Sequence, residues 1–207
     1  MRRSARIVVP GVAHHVTQRG NRRQQVFFSA KDCLVYLDLM RLYLDPKELR
    51  LHAYCLMPNH VHLIVTPVQE ESLSITLGPV HQSYAQHINR SYCFEGRLWQ
   101  GRFFSCPLEE PHLWAAMRYV ERNPVRAGLA TIVQQYRWSS AVSHCLTQND
   151  PLLRPLEQIE LKPAEWADWV SADDDERMLK RIRISTMTGQ PLGSPDFIKR
   201  CQKTSQG

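Results

Sequence analysis

Two histidines stand one residue apart in the stretch Met57-Pro58-Asn59-His60-Val61-His62-Leu63-Ile64-Val65. Side chains on a β-strand alternate between faces, so His60, His62 and Ile64 share one face and Val61, Leu63 and Val65 the other. The second face reads as core, and the first carries two imidazoles spaced to grip one metal ion. Pro58-Asn59 is turn chemistry, which sets the pair near the start of the strand. Alone the pattern is weak, because nine histidines in 207 residues produce roughly 0.4 such pairs by chance. A second piece is needed, and the stretch Tyr119 to Asn123 is the candidate. Tyr119 and Asn123 fall at i and i+4 of a helical pattern and so are neighbours on its surface. Pro124 is expected to end that helix, leaving Asn123 in its last turn.

Composition narrows the class. The chain has 207 residues, 43% of them hydrophobic, enough for one domain with a sizeable tail. Its apolar runs are far short of a membrane span. Its N-terminal arginines precede no apolar stretch of the secretory kind, so a cytoplasmic protein is expected. Six cysteines (Cys33, Cys55, Cys93, Cys106, Cys145 and Cys201) show no Cys-x-x-Cys spacing, which argues against a disulfide framework or a zinc ribbon. Net charge is +6, and Arg2, Arg3, Arg6, Arg19, Arg22, Arg23 and Lys31 all precede Asp32, the first acidic residue. A basic N-terminal third suits a polyanion such as nucleic acid, and equally a solvated basic face.

The elements that must position these groups follow from periodicity. A first strand is expected over 12–18. Ser29 caps a helix whose Cys33, Leu37, Met40 and Leu44 recur at helical spacing. A strand over 51–56 and the histidine strand form an antiparallel hairpin. A second helix covers about 73–91, and a fourth strand about 103–108. Glu109-Glu110-Pro111 opens the helix of Tyr119. The first six elements make βαββαβ, an α+β, ferredoxin-like antiparallel sheet. Its helices are expected on one face, leaving the other face for a partner. The catalytic unit is placed at 1–145 and a helical C-terminal extension at 146–207.

Two segments carry basic groups in loops. In Arg19-Gly20-Asn21-Arg22-Arg23, Gly20 and Asn21 favour positive φ, and guanidinium forks around a glycine suit phosphate; a plain basic turn fits about as well. In Phe94 to Ser105, Arg97 and Arg102 alternate with aromatics and glycines. That texture suits single-stranded nucleic acid, with arginine on phosphate and rings on bases, or else a core strand with Trp99 and Phe104 buried.

The ordered set of motifs resembles the single-tyrosine HUH transposases, in particular the REP-associated tyrosine transposases. The matching pieces are Pro10-Gly11, His15-Val16, Gln18-Arg19-Gly20-Asn21-Arg22, Met57 to His62, Trp99-Gln100-Gly101-Arg102-Phe103, Tyr119 to Gly128 and Trp138-Ser139-Ser140. The resemblance covers nearly the whole chain. It implies that Tyr119 is the nucleophile, that His60 and His62 are metal ligands with Asn123 as a polar third, and that the metal is Mg2+ or Mn2+. The implied substrate is single-stranded DNA folded into an imperfect palindromic hairpin. It would be cleaved and rejoined through a 5′-phosphotyrosine, as in DNA transposition and recombination. Arg19, Asn21, Arg22, Arg97 and Arg102 are the candidate DNA contacts, the expected state is monomer or homodimer, and the expected place is the nucleoid. Rival readings are a palindrome-binding protein that no longer cuts, and a structural zinc protein in which cysteines join the histidines.

Overall fold

The computed structural model describes residues 6–146, 148–156 and 162–204; Arg2 and Arg3 lie outside them. Strand β1 (His14–Arg19) is followed by α1 (Ala30–Tyr43), β2 (Leu49–Met57), β3 (His60–Pro67), α2 (Ser72–Tyr92) and β4 (Phe104–Pro107). Helices α3 (Glu110–Arg126), α4 (Ala141–Leu146), α5 (Pro163–Ser171), α6 (Glu176–Thr188) and α7 (Pro195–Thr204) complete the chain. The four strands form one antiparallel sheet in the order β2-β3-β1-β4. This is the split βαβ arrangement expected from the element order.

Local chemistry explains the borders. Ser29 caps α1, its hydroxyl accepting from the Asp32 amide at 3.4 Å while the Asp32 carboxylate accepts from the Ser29 amide at 2.8 Å. This is a reciprocal capping box with Asp in the acidic position. The two-residue turn Pro58-Asn59 is braced by the loop after β1: the Val26 amide donates to the Pro58 carbonyl at 2.8 Å and the Gly20 amide to the Asn59 carbonyl at 2.9 Å.

One face of the sheet buries Val16, Val61, Leu63 and Val65 against Tyr36, Leu37 and Met40 of α1 and Leu77, Val80 and Tyr84 of α2. Each such burial stabilises by roughly 1.5–3 kcal/mol. The opposite face, expected from the sequence to be free for a partner, is covered by the chain itself. Ala53, Cys55, Met57, Ile64 and Cys106 pack there against Leu113, Ala116, Met117 and Val120 of α3 and Leu179 and Ile182 of α6. Both faces of the strands are buried, the second mixing apolar residues with polar ones such as His15, Thr17 and His62, and a sheet buried on both faces needs two covers.

Segments from the C-terminal third also close both sheet edges. The Leu56 amide on β2 donates to the Trp138 carbonyl at 2.9 Å, and the Leu192 amide donates to the Pro107 carbonyl on β4 at 2.9 Å. Unpaired edges invite pairing with other chains, and these are filled.

Two local expectations are corrected. Gly20 has φ −58, and the positive φ falls instead on Arg22 (52) and Arg23 (62). What demands glycine at 20 is space: a Cβ there would lie 2.3 Å from the Gln24 carbonyl oxygen and 2.8 Å from Val26. Pro124 does not stop α3, which runs on to Arg126. Among the described residues no helix is long and apolar enough to cross a membrane.

Candidate active site

The register of the sheet decides which side chains meet. His62 lies opposite Thr17 on β1 and Cys55 on β2, and His60 lies opposite Arg19 and Met57. His15 lies opposite Ile64 on β3 and Cys106 on β4. Opposed residues share a face, so His15, Arg19, His60 and His62 all turn toward α3 and α6. The His60 and His62 rings meet edge to face at 4.7 Å between centroids. His15 stacks on His62 at 5.0 Å and 17°, and its Nε2 is 2.8 Å from His62 Nδ1.

Tyr119 descends onto this cluster from α3. Its ring stands edge-on to His62 at 5.4 Å and to His15 at 5.7 Å. The tyrosine and the histidine strand, 57 positions apart by subtraction of 62 from 119, are therefore brought together. The Arg126 guanidinium lies 4.6 Å from the Tyr119 ring centre and that of Arg183 on α6 lies 5.9 Å away. Arg126 also donates to the Tyr119 carbonyl and, at 3.1 Å, to Asp174. Asp174 in turn accepts from Arg122 at 3.2 Å and pairs with Arg118 at 3.9 Å. One carboxylate between α5 and α6 thus gathers three arginines spaced four apart along α3.

The electrostatics keep the imidazoles neutral. Burial lowers the His60 pKa to about 4, helped by Arg19. Burial lowers that of His15 to about 3, helped by His60. His62 is pushed well below the ordinary value, first by burial and then by His60, His15 and the two arginines 19 and 126. Burial also lowers the Arg126 pKa, against the pull of Asp174. Neutral imidazole is the form that ligates metals.

His62 Nε2 is buried and has no hydrogen-bond partner, as a ligand atom facing a cation site would be. No group of three or more His, Cys, Asp or Glu side chains among the described residues could hold a metal ion. A cation would therefore need neutral oxygens to complete its shell beside His60 and His62. Asn123 sits one turn from Tyr119 and spends its amide nitrogen on the Tyr119 carbonyl at 2.9 Å and the Val120 carbonyl at 3.5 Å. With the nitrogen so held, the amide oxygen keeps its two lone pairs. The same bonds serve the helix, since Pro124 has no N–H to offer the Val120 carbonyl. The cysteines that share this face make other contacts, Cys55 with Met57 at 3.6 Å and Cys106 with Thr186 at 3.6 Å, so the zinc reading has no cluster to stand on.

A family model described as "Transposase IS200 like" matches residues 8–123, more than half of the 207-residue chain. The chain belongs to the IS200-like transposases. Among solved structures it is similar to a REP-associated tyrosine transposase bound to a REP hairpin, at 17% identity and TM-score 0.57 over 78% of this chain and 95% of that one. It is also similar to a protein of Deinococcus radiodurans R1 described as a transposase, at 18% identity and TM-score 0.40 over 65% of this chain and 94% of that one. None of the curated proteins matches the sequence. The first likeness extends the common fold past the matched segment.

The transposase places its basic loops together at the end of the sheet where β1 finishes and β3 begins. The Asn21 amide donates to the Leu98 carbonyl at 2.7 Å, and Gln100 donates to the Arg19 carbonyl at 2.9 Å. Arg19 faces His60, while Arg22 is exposed on left-handed backbone. Arg97 and Arg102 are exposed on the rim of a groove of about 670 Å3, which Arg6, Gln82 and Gln86 also line. Trp99 is buried and Phe104 is 37% exposed, so the two aromatics divide between core and surface.

Sequence reasoning gave no role at this site to His15, Arg126, Asp174, Arg183 or Thr186; Asp174 reads there as part of the acidic cap of a basic helix over 177–183. His15 and Arg126 stand inside quoted motifs and were within reach. Asp174, Arg183 and Thr186 come from the tail, where nothing local points to the sheet.

Proposed function

We propose that this transposase nicks and rejoins single-stranded, hairpin-bearing DNA, with Tyr119 as nucleophile. The observation that carries the reading is the meeting of Tyr119 with His62 at 5.4 Å beside a buried, unpartnered His62 Nε2. A tyrosine that only packed would need neither a bare imidazole nitrogen at its edge nor guanidiniums over its ring. The match to a fold known with a REP hairpin supports the substrate class.

In this reading the Tyr119 oxygen attacks the scissile phosphorus and the P–O3′ bond breaks. A 5′-phosphotyrosine and a free 3′-hydroxyl result; the tyrosine gives up one proton and the leaving O3′ takes up one, directly or through solvent, so no net proton is gained or lost. The 3′-hydroxyl of a strand reverses the step, so the linkage energy is conserved and no nucleotide cofactor is consumed. His60, His62 and the Asn123 oxygen would hold Mg2+ or Mn2+, which supplies Lewis-acid polarisation of the phosphate. Arg126 and Arg183 place positive charge over the Tyr119 ring, 4.6 and 5.9 Å from its centre. Arg19, Asn21, Arg22, Arg97 and Arg102 would carry the DNA backbone across the loop end of the sheet.

The test is a covalent-adduct assay with single-stranded palindromic hairpin oligonucleotides, with and without Mn2+, on denaturing gels. A metal-dependent shifted band in the wild type, absent from Tyr119→Phe, is expected. Retained hairpin binding with no band in any condition would favour the non-cutting, palindrome-binding reading.

A further inference from the structure

The geometry points to a relay in which His15 and Thr186 fix the tautomer of His62 and hold its Nε2 lone pair open to the site. It rests on the reading of His62 as a ligand, and it makes His15 and Thr186 positioning residues.

The hydrogens follow from counting donors and acceptors. The Thr186 hydroxyl has one proton and lies 2.8 Å from the Ile182 carbonyl, which can only accept. The same oxygen is 2.7 Å from His15 Nδ1. With its proton on Ile182, Thr186 offers His15 a lone pair, so His15 Nδ1 carries a hydrogen and donates. A neutral ring has one N–H, so His15 Nε2 is bare. It accepts from His62 Nδ1, 2.8 Å away. His62 Nδ1 therefore holds the hydrogen of that ring, and Nε2 is a lone pair, buried without a partner. The Cys106 thiol, 3.6 Å from the Thr186 oxygen, fits the same direction as a weak donor.

Reversing the chain has a cost that identifies it. Were Thr186 to donate to His15, each proton would shift by one place, and His62 Nε2 would carry an N–H with no acceptor. Orphaned buried N–H groups are rare, whereas an under-used lone pair is less so. Ligating histidines as a rule donate their other ring N–H to an outer partner. Here that partner is a neutral imidazole. It orients His62 without adding negative charge next to a phosphate, which a carboxylate in its place would do.

The relay is read directly from the ring nitrogens of metal-free, 15N-labelled protein by long-range proton–nitrogen correlation spectra. His15 and His62 are both expected to be protonated on Nδ1. Thr186→Val removes the hydroxyl at nearly constant shape. It is expected to mix the tautomers of both rings and to weaken Mn2+ binding by about 10–100-fold, followed by electron paramagnetic resonance of free Mn2+. Thr186→Ser is expected to restore both readouts. His62 protonated on Nε2 in the wild type, or tautomers unmoved by Thr186→Val, would overturn the relay. Wild-type protein with the expected tautomers but no Mn2+ binding would support the relay and overturn the metal reading, so the two fail separately.

Discussion

Arg126 lies two helical turns beyond Tyr119 and folds back over it, its guanidinium 4.6 Å from the ring centre and one nitrogen on the Tyr119 carbonyl. A flat guanidinium can stack on a ring and donate in its own plane together, while an ammonium cannot. Arg126→Lys is therefore expected to behave nearly like Arg126→Ala, lowering adduct formation at least tenfold. Rates measured by quenched gel assay check this, and near-wild-type rates for the lysine variant would remove the stacking argument.

Glu121 is fully buried on α3 and accepts from Ser140 at 2.6 Å, His144 at 2.6 Å and the Trp166 indole at 2.7 Å. Those donors come from the segment 138–140 that bonds to the edge of β2, from α4 and from α5. Glu121→Ala takes this acceptor from the Trp166 indole and His144, while Ser140 keeps the Tyr54 carbonyl at 3.3 Å, and a loss of about 3 kcal/mol is expected. Urea denaturation measures it, and a loss under about 1 kcal/mol would mean the network is not holding these elements together.

Acid should unfold the protein through its histidines. His14, His52 and His60 are pulled to about 4 and His15 and His81 to about 3, in each case first by burial. Folded-state values below the unfolded one mean that the unfolded chain takes up protons first as pH falls. The stability is fully present above about 6.5 and is lost on acidification toward 4, at up to about 1.4 kcal/mol per pH unit for each such histidine. Urea midpoints at pH 7, 6 and 5 should fall in that order. A flat profile would indicate that these rings are protonated in the native state.

Gly20→Ala is a test of the loop end. The new Cβ would meet the Gln24 carbonyl oxygen at 2.3 Å, and the Gly20 amide holds the Asn59 carbonyl just before His60. The variant is expected to fold with a lowered melting temperature and to lose adduct formation. Wild-type activity would show that the turn before His60 does not depend on this brace.

Arg19→Ala and Arg22→Ala should each weaken hairpin binding and lower the salt slope of log K by about one. Fluorescence anisotropy across a salt series reads it, and an unchanged slope would move the DNA path off this loop.

What the sequence revealed was what its chemistry expresses locally. Ser29 and Asp32 are three apart and cap a helix between them. His60 and His62 alternate on a strand whose other residues are apolar. The βαββαβ order follows from such pieces. Other features depend on partners far along the chain. Pro124 reads as a stop, yet α3 continues because Asn123 and Arg126 supply donors to carbonyls near the proline. Gly20 reads as a positive-φ residue, but its constraint is the approach of Gln24 and Val26. Of the cover over the histidine face, α3 was legible through Tyr119 but α6 was not, since nothing near Ile182 or Thr186 signals that they lie on β1 and β4.

The contact between His15 and Thr186 spans 171 positions. At the usual pace of synthesis, roughly 5–20 residues per second, that span takes on the order of 10–30 s to make. During that interval the growing chain already holds its histidine strand, and later its tyrosine, without the hydroxyl that meets His15. A ribosome-bound or prematurely ended product would thus carry the recognisable motifs of the transposase family and lack the contacts that the tail supplies. In a cell where each such chain emerges close to DNA, competence would be acquired as a late event in the life of the molecule.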